Sequence, residues 1–215
     1  MTVPLSTRGK LLVFEGIDGS GKSTQINLLA DYLNAHGIRT LCSFEPTRGP
    51  WGMKVRQAAA GNERLDIEEE ISCLLQDRRE HVHNVIEPAL EQGTWVLLDR
   101  YYLSMMAYQG ASGCNVEEIR EMNEEFAPVP DLAFWLDIPV ETALLRMAER
   151  GLARDAFEEA SFLEHCYRIY ASMDMPWLVR IPALGDALQT QQQIRQAVAE
   201  EYPPIFSRAN TAALA

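Results

Sequence analysis

Short apolar runs alternate along this chain with longer stretches of helical spacing. Lys10 to Glu15 is mostly apolar and ends in Gly16. After a glycine cluster, Ile26, Leu29, Ala30 and Leu33 recur on one helix face, which predicts a strand, a loop and a helix over Gln25 to His36. Gly37 stops that helix, Thr40 to Phe44 reads as a second strand, and Glu45 to Gly52, dense in Pro and Gly, reads as a loop. A long helical pattern from Asp66 to Glu91, with Pro88 near its end, precedes a third strand at Thr94 to Leu98. Ala133 to Leu136 is a fourth strand. Pro139 and Glu141 then start a helix that Gly151 ends. Trp177 to Ile181 is a fifth strand, followed by a closing helix from about Leu184 to Glu201. Strands separated by helices imply right-handed crossovers and an α/β fold, a five-stranded parallel sheet with helices on both faces. Residues 1–202 are expected to form one domain, and 203–215, which lose periodicity, a loose tail.

Composition narrows the partners. The chain has 215 residues and a formal net charge of −12, from 19 Lys and Arg against 31 Asp and Glu. That balance opposes general attraction to nucleic acid or an anionic membrane, so a phosphate ligand has to be held locally. Apolar runs such as Leu132 to Leu136 fall far short of the roughly 20 residues of a membrane helix. The few apolar residues after Lys10 are too short for a secretory signal, so a cytoplasmic protein is expected. Cys42, Cys73, Cys114 and Cys166 show no metal or disulfide spacing and are expected to be reduced and mostly buried. His81 and His83, two apart on a helix, point to different sides and are read as surface residues.

Gly16-Ile17-Asp18-Gly19-Ser20-Gly21-Lys22-Ser23 matches the phosphate-binding pattern G-x-x-x-x-G-K-[S/T], between a predicted strand and a predicted helix. Its glycines let successive backbone N–H groups converge on phosphate oxygens at a helix N-terminus. Lys22 would reach the β and γ phosphates of ATP, and Ser23 would offer its hydroxyl to Mg²⁺. Asp99, ending the run Trp95 to Leu98, supplies the hard oxygen Mg²⁺ prefers, and Arg100 adds a cation at the same sheet edge. Arg146, Arg150 and Arg154 form a cationic cluster suited to neutralising a transferring phosphoryl group, although a solvated helix face would also space Arg146 and Arg150 this way. Glu45 to Trp51 follows the second strand on that edge, where it can touch an acceptor or serve simply as a turn.

From Phe14 to about Tyr170 these marks resemble the thymidylate kinase family, P-loop enzymes that phosphorylate dTMP to dTDP with ATP. The resemblance rests on Phe14 to Thr24, Asp99-Arg100-Tyr101 with Ser104 and Ala107 to Gly110, Pro130-Asp131, Leu136-Asp137, and Arg150-Gly151 before Phe157-Glu158. It implies a nucleoside-monophosphate-kinase-like fold with a short lid at about 149–158, ATP and Mg²⁺ held over Gly16 to Thr24, and a homodimer. It also implies that Asp18 lies near the acceptor and its phosphate, that Arg100 binds that phosphate, and that Arg78 bonds a thymine carbonyl. Ser104, Tyr108 and Gln109 would line the sugar and base end. Ser20 stands where some members carry a catalytic arginine, which resembles the bacterial type and directs that role to Arg150 or Arg154 in the lid.

Four positions depart from the family pattern. Leu74 replaces a phenylalanine that stacks on thymine, Met105 a small polar residue, and Ala156 a lid arginine. Phe44 stands where an arginine for the acceptor phosphate is usual, with Arg48 four residues on as a substitute. Three readings follow. The first is a dTMP kinase, or a kinase of another deoxynucleoside monophosphate. The second is a deoxynucleoside kinase with Glu45 as the general base a 5′-hydroxyl needs. The third, a nucleotide-dependent switch, lacks the N-K-x-D segment of guanine-reading proteins.

Overall fold

The computed structural model describes residues 8–61, 65–149, 151 and 156–203. Every residue of β1 (Leu11–Glu15) is buried. Because successive strand residues point to opposite faces, both faces of the sheet at β1 must be covered. β2 (Thr40–Phe44), β3 (Trp95–Asp99), β4 (Leu132–Asp137) and β5 (Leu178–Pro182) complete a sheet of order β2-β3-β1-β4-β5, with every pairing parallel. The apolar runs forecast all five strands, with no end displaced by more than one residue.

Around this sheet lie α1 (Lys22–Ala35), α2 (Pro50–Ala60), α3 (Ile67–His81), α4 (Glu87–Glu91), α5 (Tyr102–Ala111), α6 (Val116–Glu124), α7 (Val140–Glu149), α8 (Ala156–Ser172) and α9 (Ala187–Glu201). α1 and α9 pack on one another, α5 lies against α6 and α8, and α2 packs along α3. Asp66 caps α3 by accepting from Glu69 N at 2.8 Å, and Asp186 with Gln189 forms a capping box on α9. Among the described residues no helix is long and apolar enough to cross a membrane.

Two expectations are corrected. The long helix from Asp66 to Glu91 is not uniform, since Val82–Ile86 is π-helical between α3 and α4. Pro88 explains this, because its ring crowds the carbonyl four residues earlier and it has no N–H to donate, so the ladder widens ahead of it. The segment after β2 is a loop only as far as Gly49. Pro50 then opens α2, the first-turn position where its missing N–H costs nothing.

The C-terminal edge of the sheet is level. Phe14 and Phe44 both pair with Asp99, so Glu15, Glu45 and Arg100 leave β1, β2 and β3 side by side. The turn from Thr47 to Gly52 wraps a buried carboxylate on α3. Asp77 accepts from Thr47 N and Thr47 Oγ1, both at 2.6 Å, and from Gly52 N at 3.1 Å. A Cβ on Gly52 would sit 2.4 Å from the Thr47 carbonyl oxygen and 2.7 Å from Asp77 Oδ1. Gly52→Ala should therefore lower folding stability by about 1–3 kcal/mol, read from the urea midpoint. An unchanged midpoint would mean that the turn does not close on Asp77 in solution.

Candidate active site

The glycine loop turns on backbone angles that side chains avoid. Gly16, Gly19 and Gly21 have φ of 135°, 82° and 100°. A Cβ at Gly19 would also meet the Ala143 carbonyl oxygen at 2.5 Å. Lys22 begins α1 and folds back over the loop, its Nζ donating to Gly16 O at 2.9 Å and Ile17 O at 3.1 Å. Ser23 Oγ donates to Asp99 Oδ2 at 2.7 Å, joining the loop to the end of β3. Arg146 braces the loop from α7, donating to Ser20 O at 3.4 Å and to Ala183 O at 3.1 Å.

Arg100 occupies the left-handed region at φ 70°, rare for a residue with a Cβ and found where the surroundings compel it. Its Nη2 donates to Asp18 Oδ1 at 2.7 Å and to Tyr108 OH at 3.0 Å, and its Nη1 to Ser104 Oγ at 3.0 Å. The Arg100 guanidinium, more than any other group, holds the Asp18 carboxyl well below the usual carboxylate range. Behind Arg100 lies Glu15, fully buried and accepting from Tyr101 N at 2.9 Å, Ser104 Oγ at 2.5 Å and Tyr170 OH at 3.0 Å. Burial pushes its carboxyl up, against the opposing pull of Ser104, Arg100 and Tyr170.

Two adjoining cavities meet here. The larger, about 540 Å³, is lined by Lys22, Ser23, Asp99 and Arg48 among others, and the smaller, about 330 Å³, by Leu74, Arg78, Ser104, Met105, Tyr108 and Gln109. Both touch Asp18, Glu45, Arg56 and Arg100. Glu45 is part of the wall, with both carboxylate oxygens occupied: Arg78 Nε donates to Oε2 at 2.7 Å and His81 Nδ1 to Oε1 at 2.9 Å. Its side chain is 4% exposed. His81 is thus a buried partner of Glu45 and no surface residue, whereas His83 is exposed. Of the cysteines, Cys73 and Cys166 are buried, Cys114 is half-buried and Cys42 exposed.

Where Phe44 displaces the usual arginine, two arginines gather over its ring, the Cζ of Arg48 at 5.7 Å and of Arg56 at 5.0 Å from the centroid. Arg56 carries no signal of its own in the sequence, where the pattern assigns no element between Gly52 and Asp66 and so does not reveal that it lies on α2. Its Nε donates to Pro46 O at 2.9 Å, and the residue lines both cavities. Glu15 and Asp77 were missed as well. A carboxylate closing an otherwise apolar strand was the available signal for Glu15. Arg150 and Arg154, expected in a lid, lie outside the described residues, as do residues 204–215.

The residues at the loop suit a magnesium ion. Ser23 and Asp99 offer a hydroxyl and a carboxylate, hard oxygen donors, and no cluster of three or more His, Cys, Asp or Glu groups among the described residues competes for a metal. Mg²⁺ fits such a sparse donor set because it keeps several waters and takes phosphate oxygens as ligands.

A parallel sheet with a phosphate-binding loop after its central strand, an acidic β3 end and a second cavity sharing Asp18 and Arg100 defines a P-loop kinase of the nucleoside-monophosphate type. The thymidylate kinase family model matches residues 14–194. Thymidylate kinase of Akkermansia muciniphila is 52% identical over 199 residues, covering 93% of this chain and 96% of that protein. Those of Desulfotalea psychrophila and Xanthomonas euvesicatoria pv. vesicatoria are each 48% identical over 187 residues, covering 86% and 87% of this chain and 92% and 82% of theirs. The chain belongs to the thymidylate kinase family.

Burial, ahead of repulsion from Arg100, lowers the Lys22 ammonium to about 8, while Asp18, Asp99 and Glu15 pull the other way. Between pH 8 and the ordinary value of 10.5 the folded chain therefore holds less charge on Lys22 than the unfolded chain does, and folding stability at this group rises with pH. Phosphate binding through Lys22 would work against that trend, because it would require the ammonium. Nucleoside triphosphate affinity should fall above pH 8 by up to about tenfold per pH unit, with proton uptake measurable by calorimetry in buffers of different ionisation enthalpy. A dissociation constant flat from neutral pH to well above 8 would remove Lys22 from phosphate binding.

Proposed function

We propose that this chain transfers the γ-phosphoryl group of ATP to dTMP, giving dTDP and ADP. The observation that carries the reading is the junction of the two cavities at Asp18 and Arg100, one lined by the glycine loop and the other by Leu74, Arg78 and Tyr108. The backbone amides of Gly16 to Thr24 hold the donor phosphates at the start of α1, and Lys22 swings from the loop carbonyls onto the β and γ groups. Ser23 and Asp99 hold Mg²⁺, which when bound neutralises charge on the phosphate oxygens. Arg100 clamps the acceptor phosphate, with Arg48 and Arg56 completing a cationic wall that the missing arginine at Phe44 would otherwise have supplied. Asp18 keeps Arg100 oriented beside that phosphate. Arg78, Leu74, Ser104, Tyr108 and Gln109 receive the sugar and base, and Arg150 or Arg154 closes over the transition state. A homodimer in the cytoplasm belongs to the same proposal and rests on family membership.

A phosphomonoester loses its second proton near pKa 6, so the attacking oxygen needs no strong base at neutral pH. Positioning and cations suffice. A nucleoside 5′-hydroxyl does need one, and Glu45 is poorly placed to serve, since both of its oxygens already accept hydrogen bonds, from Arg78 and His81. That supports a monophosphate over a nucleoside as acceptor.

With Mg-ATP, dTMP should release ADP stoichiometrically with dTDP, whereas thymidine should not, as a coupled assay with product chromatography will read. Lys22→Ala should cut kcat by about three orders of magnitude or more. Turnover of thymidine alone, or near-normal turnover of the alanine variant, would overturn the assignment.

Leu74 supplies area but no ring. Leu74→Phe should tighten dTMP binding by up to about tenfold, the worth of a stacked aromatic pair. Unchanged dTMP affinity by titration would place the base elsewhere.

A further inference from the structure

We propose that His81 and Asn123, neither of which lines either of the two cavities described above, are positioning residues for acceptor selection, because together they fix the one edge of Arg78 left free for a ligand among the described residues. This rests on the reading above that Arg78 meets the base.

Arg78 and His81 are three apart on α3 and so share a helix face. Both reach the Glu45 carboxylate where β2 ends, Arg78 through Nε and His81 through Nδ1. A carboxylate in an ion pair only accepts, so Nδ1 must carry a proton. The far nitrogen, Nε2, lies 2.8 Å from Ser43 Oγ, which fixes the ring from the other side. Glu45, clamped by the histidine, thereby clamps Nε of the arginine.

The opposite end of the guanidinium is held from α6. Arg78 Nη1 donates to Asn123 Oδ1, and Asn123 itself cannot turn, because its Nδ2 donates to Ile119 O at 2.7 Å and the residue is wholly buried. The ring of Tyr101 covers one face, with its centroid 5.0 Å from Arg78 Cζ. A guanidinium is a rigid planar fork, so anchoring Nε, Nη1 and one face sets the direction of Nη2. Nη2 has no hydrogen-bond partner among the described residues, and Arg78 lines the smaller cavity beside Leu74 and Met105. Nη2 can only donate. A base edge that presents a carbonyl is therefore favoured over one that presents an amino group, and the preference depends on how tightly the guanidinium is held.

The test is steady-state kinetics of the full chain with dTMP, dCMP and ATP varied in turn, for Arg78→Ala, His81→Ala, His81→Asn and Asn123→Ala. His81→Ala and Asn123→Ala should each raise KM for dTMP roughly tenfold and narrow the dTMP over dCMP preference in kcat/KM to a similar degree. In both, kcat and KM for ATP should stay within about twofold of the parent. Asn at position 81 places an amide N–H where Nδ1 stood, so His81→Asn should recover most of the lost dTMP affinity. Parallel losses in kcat, in KM for ATP and in KM for dTMP would mean general disruption and overturn the proposal. So would an His81→Asn enzyme no better than His81→Ala. If Arg78→Ala raises KM for dTMP while His81→Ala and Asn123→Ala do not, the frame alone is wrong. If Arg78→Ala changes neither KM nor preference, the base contact of Arg78 falls and the frame with it.

Discussion

Arg100 ties the two halves of the site together. It leaves β3 in a left-handed conformation, and its guanidinium spans from Ser104, in the wall of the smaller cavity, to Asp18, in the glycine loop. A residue with a Cβ held in that region costs on the order of 1–2 kcal/mol, which the ion pair and the hydrogen bonds to Ser104 and Tyr108 must offset. What enforces the geometry lies one step deeper. Glu15, at the same level on the neighbouring strand, fixes Tyr101 N and Ser104 Oγ on either side of the turn that follows Arg100. The strand register that aligns Phe14 with Asp99 is therefore the constraint on which the alignment of the two cavities depends.

The same register explains why the wall of the smaller cavity is built from buried charges. β2 ends beside β3, so Glu45 enters the interior, where an unpaired carboxylate would be costly. Arg78 and His81 from α3 answer it. One residue before Arg78, Asp77 takes the amides of Thr47 and Gly52. Neighbouring residues on one helix thus hold the segment from opposite ends, Arg78 at the strand end and Asp77 at the start of α2. The arginines that segment presents, Arg48 and Arg56, carry their charge on long stems, and the Phe44 ring gives both a surface to lie on.

Much of this was legible in the sequence, for reasons that differ by element. The strands were visible because they are buried on both faces and so read as unbroken apolar runs, and the glycine loop because its backbone angles demand glycine at fixed spacing. α5 was invisible for a related reason. From Tyr102 to Ala107 it is buried all round, so no amphipathic period marks it. α6 did carry a signal, with Asn115 accepting from Glu117 N and Glu118 N ahead of an acidic first turn, but it stands between elements with stronger patterns. Partnerships between distant residues were beyond a one-dimensional reading. Nothing about His81 in isolation says that it faces Glu45, 36 residues earlier, and the i, i+2 argument that sent it to the surface addressed only its relation to His83. Asn123 was likewise one polar residue among many until α6 met α3.

The departures at Leu74, Met105 and Phe44 acquire a common sense in three dimensions. The first two line the smaller cavity beside Arg78, and Phe44 lines the larger one beside Arg48 and Arg56. Met105 and Phe44 stand as apolar surfaces where the family pattern is polar, Leu74 as a smaller apolar surface than the usual ring, and each has an arginine next to it. The Met105 thioether lies 3.6 Å from Arg78 Nη1 and 3.5 Å from Asn123 Nδ2, so the sulfur that displaces a polar side chain helps to seat the guanidinium. An aromatic ring over the base would discriminate weakly among planar bases, since all of them stack. A fixed donor discriminates by which atom it faces, because a mismatch leaves a buried polar group unpaired. On the proposed placement of the base in the smaller cavity, the reduced stacking at Leu74 shifts base selection onto Arg78, and hence onto the buried side chains that hold it still.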